Sequence, residues 1–230
     1  MDILNSFLLL ASISLLSFIF TFLLKEYFLS KNMLVTPDLR SSHKNPKPQG
    51  GGLAVILSLC VSFLFFYFFN LIEKEDFIFF LIPGILVALI SFIDDISEVK
   101  RSTRILVHIF CAMSGLYFIG DFNSLSFFNQ NIDLGLWSYF LGLVYIVWMI
   151  NLYNFMDGID GIAASELVFV NAGAFLIVMN SSDQVITLLS ATLVAAGAGF
   201  LLWNWSPARV FMGDVGSSFI GFSLGIMAIF

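Results

Sequence analysis

Five aspartates and two asparagines carry most of the chemistry legible in this 230-residue sequence. Asp94 and Asp95 are adjacent at the end of an apolar run. The C-terminal end of a helix is its negative pole and disfavours anions, so two carboxylates there call for a counter-charge. A divalent cation supplies one, because hard cations take carboxylate oxygens. A solvated polar stop at a membrane boundary is the plainer alternative. Asp157 and Asp160 lie in Asn151-Leu152-Tyr153-Asn154-Phe155-Met156-Asp157-Gly158-Ile159-Asp160-Gly161. Three positions apart, they would share one face of a helix. A capping role explains one of them, but not both together with Asn151 and Asn154. Asp214 falls in Met212-Gly213-Asp214-Val215-Gly216-Ser217-Ser218, a glycine-rich opening of a further apolar segment. The N–H groups at such a helix start can hold a phosphate, with Asp214 holding its metal. Mg²⁺ suits this set, since it binds through one or two carboxylates plus substrate phosphates.

The segment Thr36–Gly52 adds His43 and Lys44, placed among Arg40 and Lys47 beside a triple glycine where an anion could dock. Positive-inside topology accounts for most of its lysines. His108 stands inside an apolar run. It is either a functional intramembrane group or a neutral, hydrogen-bonded contact between helices. Two histidines 65 positions apart, with two cysteines at 60 and 111, do not make a zinc site. No Walker loop, dinucleotide fingerprint or serine-histidine-aspartate order stands out.

The elements that must position these residues are membrane helices. The chain is 59% hydrophobic and 11% charged, with 28 phenylalanines. That composition excludes a disordered chain. It also excludes a disulfide scaffold, because Cys60 and Cys111 both lie in apolar runs. With 10 basic against 16 acidic residues, a nucleic-acid partner is not expected either. Eight continuously apolar stretches read as spans: Ile3–Leu24, Leu53–Ile72, Phe77–Ile93, Ile105–Ile119, Leu134–Ile150, Ile162–Met179, Val185–Trp203 and Val215–Phe230. They are helices rather than barrel strands because they do not alternate. Several are shorter than the roughly 20 residues that cross a bilayer, so their ends should run on into the polar flanks. The fold class expected is an all-α, polytopic transmembrane helix bundle of about eight spans, with the N-terminus extracytoplasmic. Nine of the 10 Lys and Arg fall in the loops after odd-numbered spans, and Lys74 alone in the others. Those nine mark the cytoplasmic side, and every acidic cluster above falls on it. The outer face then carries the whole net charge of −6.

Taken together, these blocks resemble the signature motifs of the polyprenyl-phosphate N-acetylhexosamine-1-phosphate transferases. The likeness rests on Asp94-Asp95, on the stretch from Asn151 to Gly161, and on Pro207-Ala208-Arg209-Val210-Phe211-Met212-Gly213-Asp214-Val215-Gly216-Ser217. Arg40-Ser41-Ser42-His43 with Pro46, Pro48 and Gly50-Gly51-Gly52 is similar to the family's first cytoplasmic loop. The resemblance implies transfer of an N-acetylated amino-sugar-1-phosphate from a UDP-sugar to undecaprenyl phosphate, with UMP released. It implies Mg²⁺, with Mn²⁺ able to substitute, and a multi-pass protein of the bacterial inner membrane whose active site faces the cytoplasm. A homodimer is compatible with it. It implies Asp94 and Asp95 as the catalytic pair and Asp214 as the metal ligand. Asn151, Asn154, Asp157, Asp160, His43 and Lys44 would be substrate contacts. Residues 1–230 then form a single transmembrane catalytic domain, without the C-terminal helices found in the family. The pathway expected is O-antigen or other surface-polysaccharide assembly. The phospho-N-acetylmuramoyl-pentapeptide transferase of peptidoglycan synthesis is the alternative within the family. A secondary transporter is the alternative outside it, but its ionisable groups would sit at midspan, and here they lie at span ends. A catalytically inactive fragment that only scaffolds partners is a third reading.

Overall fold

A computed structural model describes residues 3–35, 46–120, 122, 124–127, 130–181 and 183–229. Among these residues the chain forms eight helices: α1 (Ile3–Ser30), α2 (Leu53–Phe68), α3 (Lys74–Ile96), α4 (Arg101–Ile119), α5 (Trp137–Met156), α6 (Ile162–Val178), α7 (Gln184–Asn204) and α8 (Gly213–Met227). Each coincides with one of the apolar stretches. Several do run on into polar flanks: α1 continues from Leu24 to Ser30, and α5 from Ile150 to Met156. The extra turns of α1 bury Phe28 beside Gly50. Five helices, α1, α3, α4, α5 and α7, are long and apolar enough to cross a membrane. α2, α6 and α8, at 16, 17 and 15 residues, are shorter. α2 stops before Ile72 because Asn70 takes a positive φ of 54°, which a helix does not accept.

α8 is the axis of the bundle. It packs on α3 and α5, with α2 and α4 alongside, while α7 lies between α1 and α6. Every residue from Val215 to Ile226 is buried. Small residues make this possible: a Cβ on Gly221 would lie 2.4 Å from Met149 O in α5. Gly221 and Gly225, spaced as in close-packed membrane helices, both face α5. By contrast α1 leaves Leu4, Phe7, Leu8, Leu15 and Leu23 exposed, as a lipid-facing helix does. Cys60 and Cys111 remain free thiols.

Two short antiparallel pairings complete the fold. β1 (Leu34–Val35) pairs with β2 (Lys47–Pro48), and β3 (Ser124–Phe127) pairs with β4 (Gln130–Asp133). The second is a hairpin in a connection that the sequence marks only as a polar loop.

Candidate active site

The acidic residues meet at one end of the bundle, where α3 and α5 finish and α4 and α8 begin. Asp95 lies in the last turn of α3. It accepts the N–H groups of Asp214 and Val215, at 3.2 Å each, and the side-chain amide of Gln49 at 2.6 Å. Asp157, directly after α5, accepts the Gly213 N–H at 3.0 Å. The first three N–H groups of α8 therefore all point at carboxylates. This answers the question raised by acids at the negative end of α3: that end is set against the positive end of α8. It also corrects two expectations. A cation is not needed to account for Asp95, and these three N–H groups are not free to cradle a phosphate.

Asp157 and Asp160 do not share a helical face either. Both lie in the turn between α5 and α6, where Gly158 and Gly161 break the helix, Gly161 with a φ of +76°. Neither caps α6, whose N-cap is Gly161. Asp160 instead accepts the Ala208 N–H at 2.8 Å and lies 3.8 Å from the Lys47 ammonium. Its second oxygen is buried without a partner among the described residues. Burial pushes the Asp157 carboxyl well above the ordinary carboxylate range; the Gly213 N–H opposes that, and the neighbouring Asp214 and Asp95 charges reinforce it.

Asp94 is tied differently. Its Oδ1 accepts the Val99 N–H at 2.8 Å, and its Oδ2 pairs with the Arg104 guanidinium. The same guanidinium reaches Asp214 Oδ2 at 3.3 Å. Arg104 thus joins the end of α3 to the start of α8. A cation in the first turn of a helix faces the positive pole of its own dipole; two carboxylates offset that cost here.

The loop before α8 is tied to the triple glycine. Phe211 N–H donates to Pro48 O, Gly51 N–H to Phe211 O and Gly52 N–H to Met212 O. A Cβ at Gly52 would come within 2.4 Å of Gly216 Cα, so only glycine allows this approach. Asn204, the last residue of α7, accepts the Gly161 N–H at 3.1 Å and donates to Val210 O at 3.0 Å. It binds the acidic turn to the same loop.

Of the residues singled out in the sequence, Asp94, Asp95, Asp157 and Asp214 are brought together and Asp160 lies beside them. Asn154 reaches Ser217 Oγ in α8 at 3.5 Å. Asn151 is exposed and donates to Val147 O on its own helix, so it does not join the cluster. His43 and Lys44 lie outside the described residues. His108 is buried, with neither ring nitrogen hydrogen-bonded among the described residues; the hydrogen-bonded helix contact expected of it is not formed. Arg104, Gln49 and Asn204 are the residues that sequence reasoning missed. For Arg104 a signal existed: a basic residue opening an apolar helix against its dipole, ten positions after Asp94.

Two cavities flank the cluster. One of about 240 Å³ is bordered by Asp95, Gln49, Asn32 and Phe92. The other, of about 530 Å³, is bordered by Asp160, Glu166, Phe169 and Trp205. Among the described residues no group of three His, Cys, Asp or Glu side chains stands ready for a metal ion. The donor set suits Mg²⁺ as a shared ligand, since Mg²⁺ takes one or two protein carboxylates and completes its shell with water and phosphate. Asp214, with a side chain 30% exposed against 16% for Asp94, is the more accessible donor.

Fold and site define an integral membrane protein, all-helical in its core, with a carboxylate–arginine cluster at one end. Residues 77–230 match the model of glycosyl transferase family 4, and the chain belongs to that family. It is 27% identical over 197 residues to a probable undecaprenyl-phosphate N-acetylglucosaminyl 1-phosphate transferase of Bacillus subtilis, covering 84% of this chain and 54% of that protein. It is 32% identical over 241 residues to the phospho-N-acetylmuramoyl-pentapeptide-transferase of a Wolbachia of Brugia malayi, covering 93% and 72%. The enzyme of that name from Thermotoga neapolitana is 32% identical over 205 residues, covering 84% and 63%. The chain thus spans about half the length of the Bacillus relative. The resemblance drawn from the motifs holds at the level of the family.

Proposed function

We propose that the protein transfers an N-acetylated amino-sugar-1-phosphate from a UDP-sugar to undecaprenyl phosphate and releases UMP, as the first lipid-linked step of O-antigen or other surface-polysaccharide synthesis. The observation that carries this reading is the double ion pair of Arg104 with Asp94 and Asp214, beside the carboxylate-capped start of α8. All of these residues lie within the stretch that matches the family. The cluster faces the cytoplasm in this reading, in keeping with the distribution of Lys and Arg.

The chemistry joins two anions. An oxygen of the lipid phosphate bonds to the phosphorus that carries the sugar, and the bond from that phosphorus to the bridging oxygen breaks. The electron pair leaves with UMP. Much of the barrier is charge repulsion and positioning. Mg²⁺, when bound, neutralises the diphosphate charge; Asp214 is the residue we assign to hold it. The chain divides its paired acids by task. Asp95, engaged by three donors, fixes α8 against α3. Asp94, sharing Arg104 with Asp214, faces the reacting phosphates and orients the acceptor. Asp157 and Asp160 hold the loop 208–213 that borders the donor, and Asn154, His43 and Lys44 contact substrate.

Purified protein given UDP-N-acetylglucosamine, undecaprenyl phosphate and Mg²⁺ should release UMP and form a lipid-linked sugar. Solute flux in proteoliposomes without UMP release would assign it to transport instead. A second reading, with UDP-N-acetylmuramoyl-pentapeptide as donor, is favoured by the Wolbachia and Thermotoga relatives, each 32% identical. Transfer from that donor, and not from UDP-N-acetylhexosamines, would replace the first reading by the second.

A further inference from the structure

Across most of the bundle, a buried serine turns its hydroxyl onto the carbonyl one turn back. Ser58 donates to Ala54 O, Ser62 to Ser58 O, Ser190 to Ile186 O and Ser223 to Phe219 O. Ser91 in α3 and Ser218 in α8 are fully buried and make no such bond. His108 in α4 is 1% exposed, and both of its nitrogens lack partners among the described residues. These three side chains supply four of the seven buried side-chain polar atoms left unpaired there.

Their positions share a register. Ser91 precedes Asp95 by four residues, His108 follows Arg104 by four, and Ser218 follows Asp214 by four. α3 ends at the site, whereas α4 and α8 begin there. All three steps therefore lead the same way, one turn or about 6 Å deeper into the bundle. They stay on the helix faces that carry Asp95, Arg104 and Asp214. The three helices pack on one another. A further turn inward the core is apolar, with Val87, Ala112 and Phe222 all buried.

We infer that Ser91, His108 and Ser218 form a buried water-binding site beneath the ion-paired cluster, and that through it His108 is a positioning residue for Arg104. Orphaned buried polar atoms cost about 1–3 kcal/mol each, and buried waters making two to four hydrogen bonds are the usual remedy. A neutral imidazole offers one donor and one acceptor, and each hydroxyl offers both. Arg104 engages Asp94 and Asp214 through Nη1 and Nη2, and a guanidinium has five N–H donors in all. Water that accepts from this guanidinium and donates to the bare nitrogen of His108 serves both groups. It fixes the plane of the guanidinium, and with it the separation of Asp94 from Asp214.

The kinetic part of this inference rests on the transfer reaction proposed above; the structural part does not. Nitrogen-15 spectra of histidine-labelled protein in lipid nanodiscs test the structural part, with the His108 signal assigned by its loss in His108→Gln. The expected result is a neutral ring with both nitrogens hydrogen-bonded, exchange contact with water, and resonances displaced in Ser91→Ala and Ser218→Ala. A bare nitrogen at the position of a free imidazole, unmoved by either serine change, overturns the site. In the transfer assay, His108→Leu should lower kcat about 10-fold or more with donor KM unchanged. His108→Gln, which keeps a donor and an acceptor, should recover kcat to within about threefold of wild type. Equal loss in both variants, or a change in KM alone, overturns the positioning role. If wild type releases no UMP, the proposed reaction fails while the spectra still decide the water site.

Discussion

At the end of the bundle where α3 and α7 begin, acids serve their own helices. Glu73 and Asp76 form a reciprocal capping box, and Asp183 accepts the N–H of Ile186, three residues on. At the opposite end Asp95 reaches residues 119 and 120 positions away, Asp157 reaches 56 and Asp160 reaches 48. Both ends use carboxylates, and the bonds are alike in length. The first set stabilises single helices, with Glu73 exposed and Asp76 and Asp183 half-buried. The second fixes where α8 and its preceding loop stand relative to α3 and α5, and it keeps charge partly buried. Carboxylates used in this second way hold a geometry, and a geometry is what positioned phosphates need.

Substitutions should separate the two ends, most of all in activity. Arg104→Leu leaves Asp94 and Asp214 as like charges without their shared cation. UMP release should fall by about 10²-fold or more, and Asp214→Asn should do the same. The unfolding temperature should stay close to wild type in Asp214→Asn and be lowered in Arg104→Leu, which leaves two partly buried carboxylates without their cation. Asp183→Asn at the other end should leave initial rates unchanged. Equal losses from Asp183→Asn would erase the distinction.

Stability should show the next largest contrast. Asp95→Ala orphans two N–H groups of α8 and the Gln49 amide, for a cost of about 2–4 kcal/mol. Asp183→Ala removes one local cap, for about 1 kcal/mol. Thermal unfolding in detergent, followed by tryptophan fluorescence, compares them directly. Gly52→Ala forces a Cβ toward Gly216 and should cost about 1–3 kcal/mol. A neutral result would mean that α2 and α8 are not held as close as described.

The smallest effect is a pH slope. The folded-state pKa of Asp157 is raised, so stability is lost across the pH range where the unfolded chain has ionised and the folded one has not, and the full loss persists above it. Its contribution is most favourable below the unfolded value of about 3.9. It declines as pH rises toward the folded value. Asp157→Asn should flatten that decline in melts run across pH, and an unchanged slope would assign it to another group.

The sequence made the helices legible because a continuous, non-alternating apolar run of this length satisfies its backbone in lipid only as a helix. Their ends were harder. α1 outruns Leu24 because Phe28 has a place to pack, on a glycine 22 residues away in sequence. The aspartates stood out because acids at helix ends in so apolar a chain are costly. The partners of Asp95, Asp157 and Asp160 did not stand out, since each lies 46 or more residues away and most are backbone N–H groups that no side-chain motif records. The shared helical face of Asp157 and Asp160 failed because α5 ends at Met156 and both residues lie in the turn with Gly158 and Gly161. The pairing of 124–127 with 130–133 left no mark because each strand is only four residues long. His43 and Lys44 fall outside the described residues, so their assignment still rests on the motif.

The most direct test sets wild type beside Asp214→Asn with radiolabelled UDP-N-acetylglucosamine, undecaprenyl phosphate and Mg²⁺, and counts lipid-linked label and UMP together. The account predicts equal amounts of both from wild type and neither from the folded variant. Label transferred undiminished by Asp214→Asn, or none from any UDP-amino sugar with wild type, would contradict it.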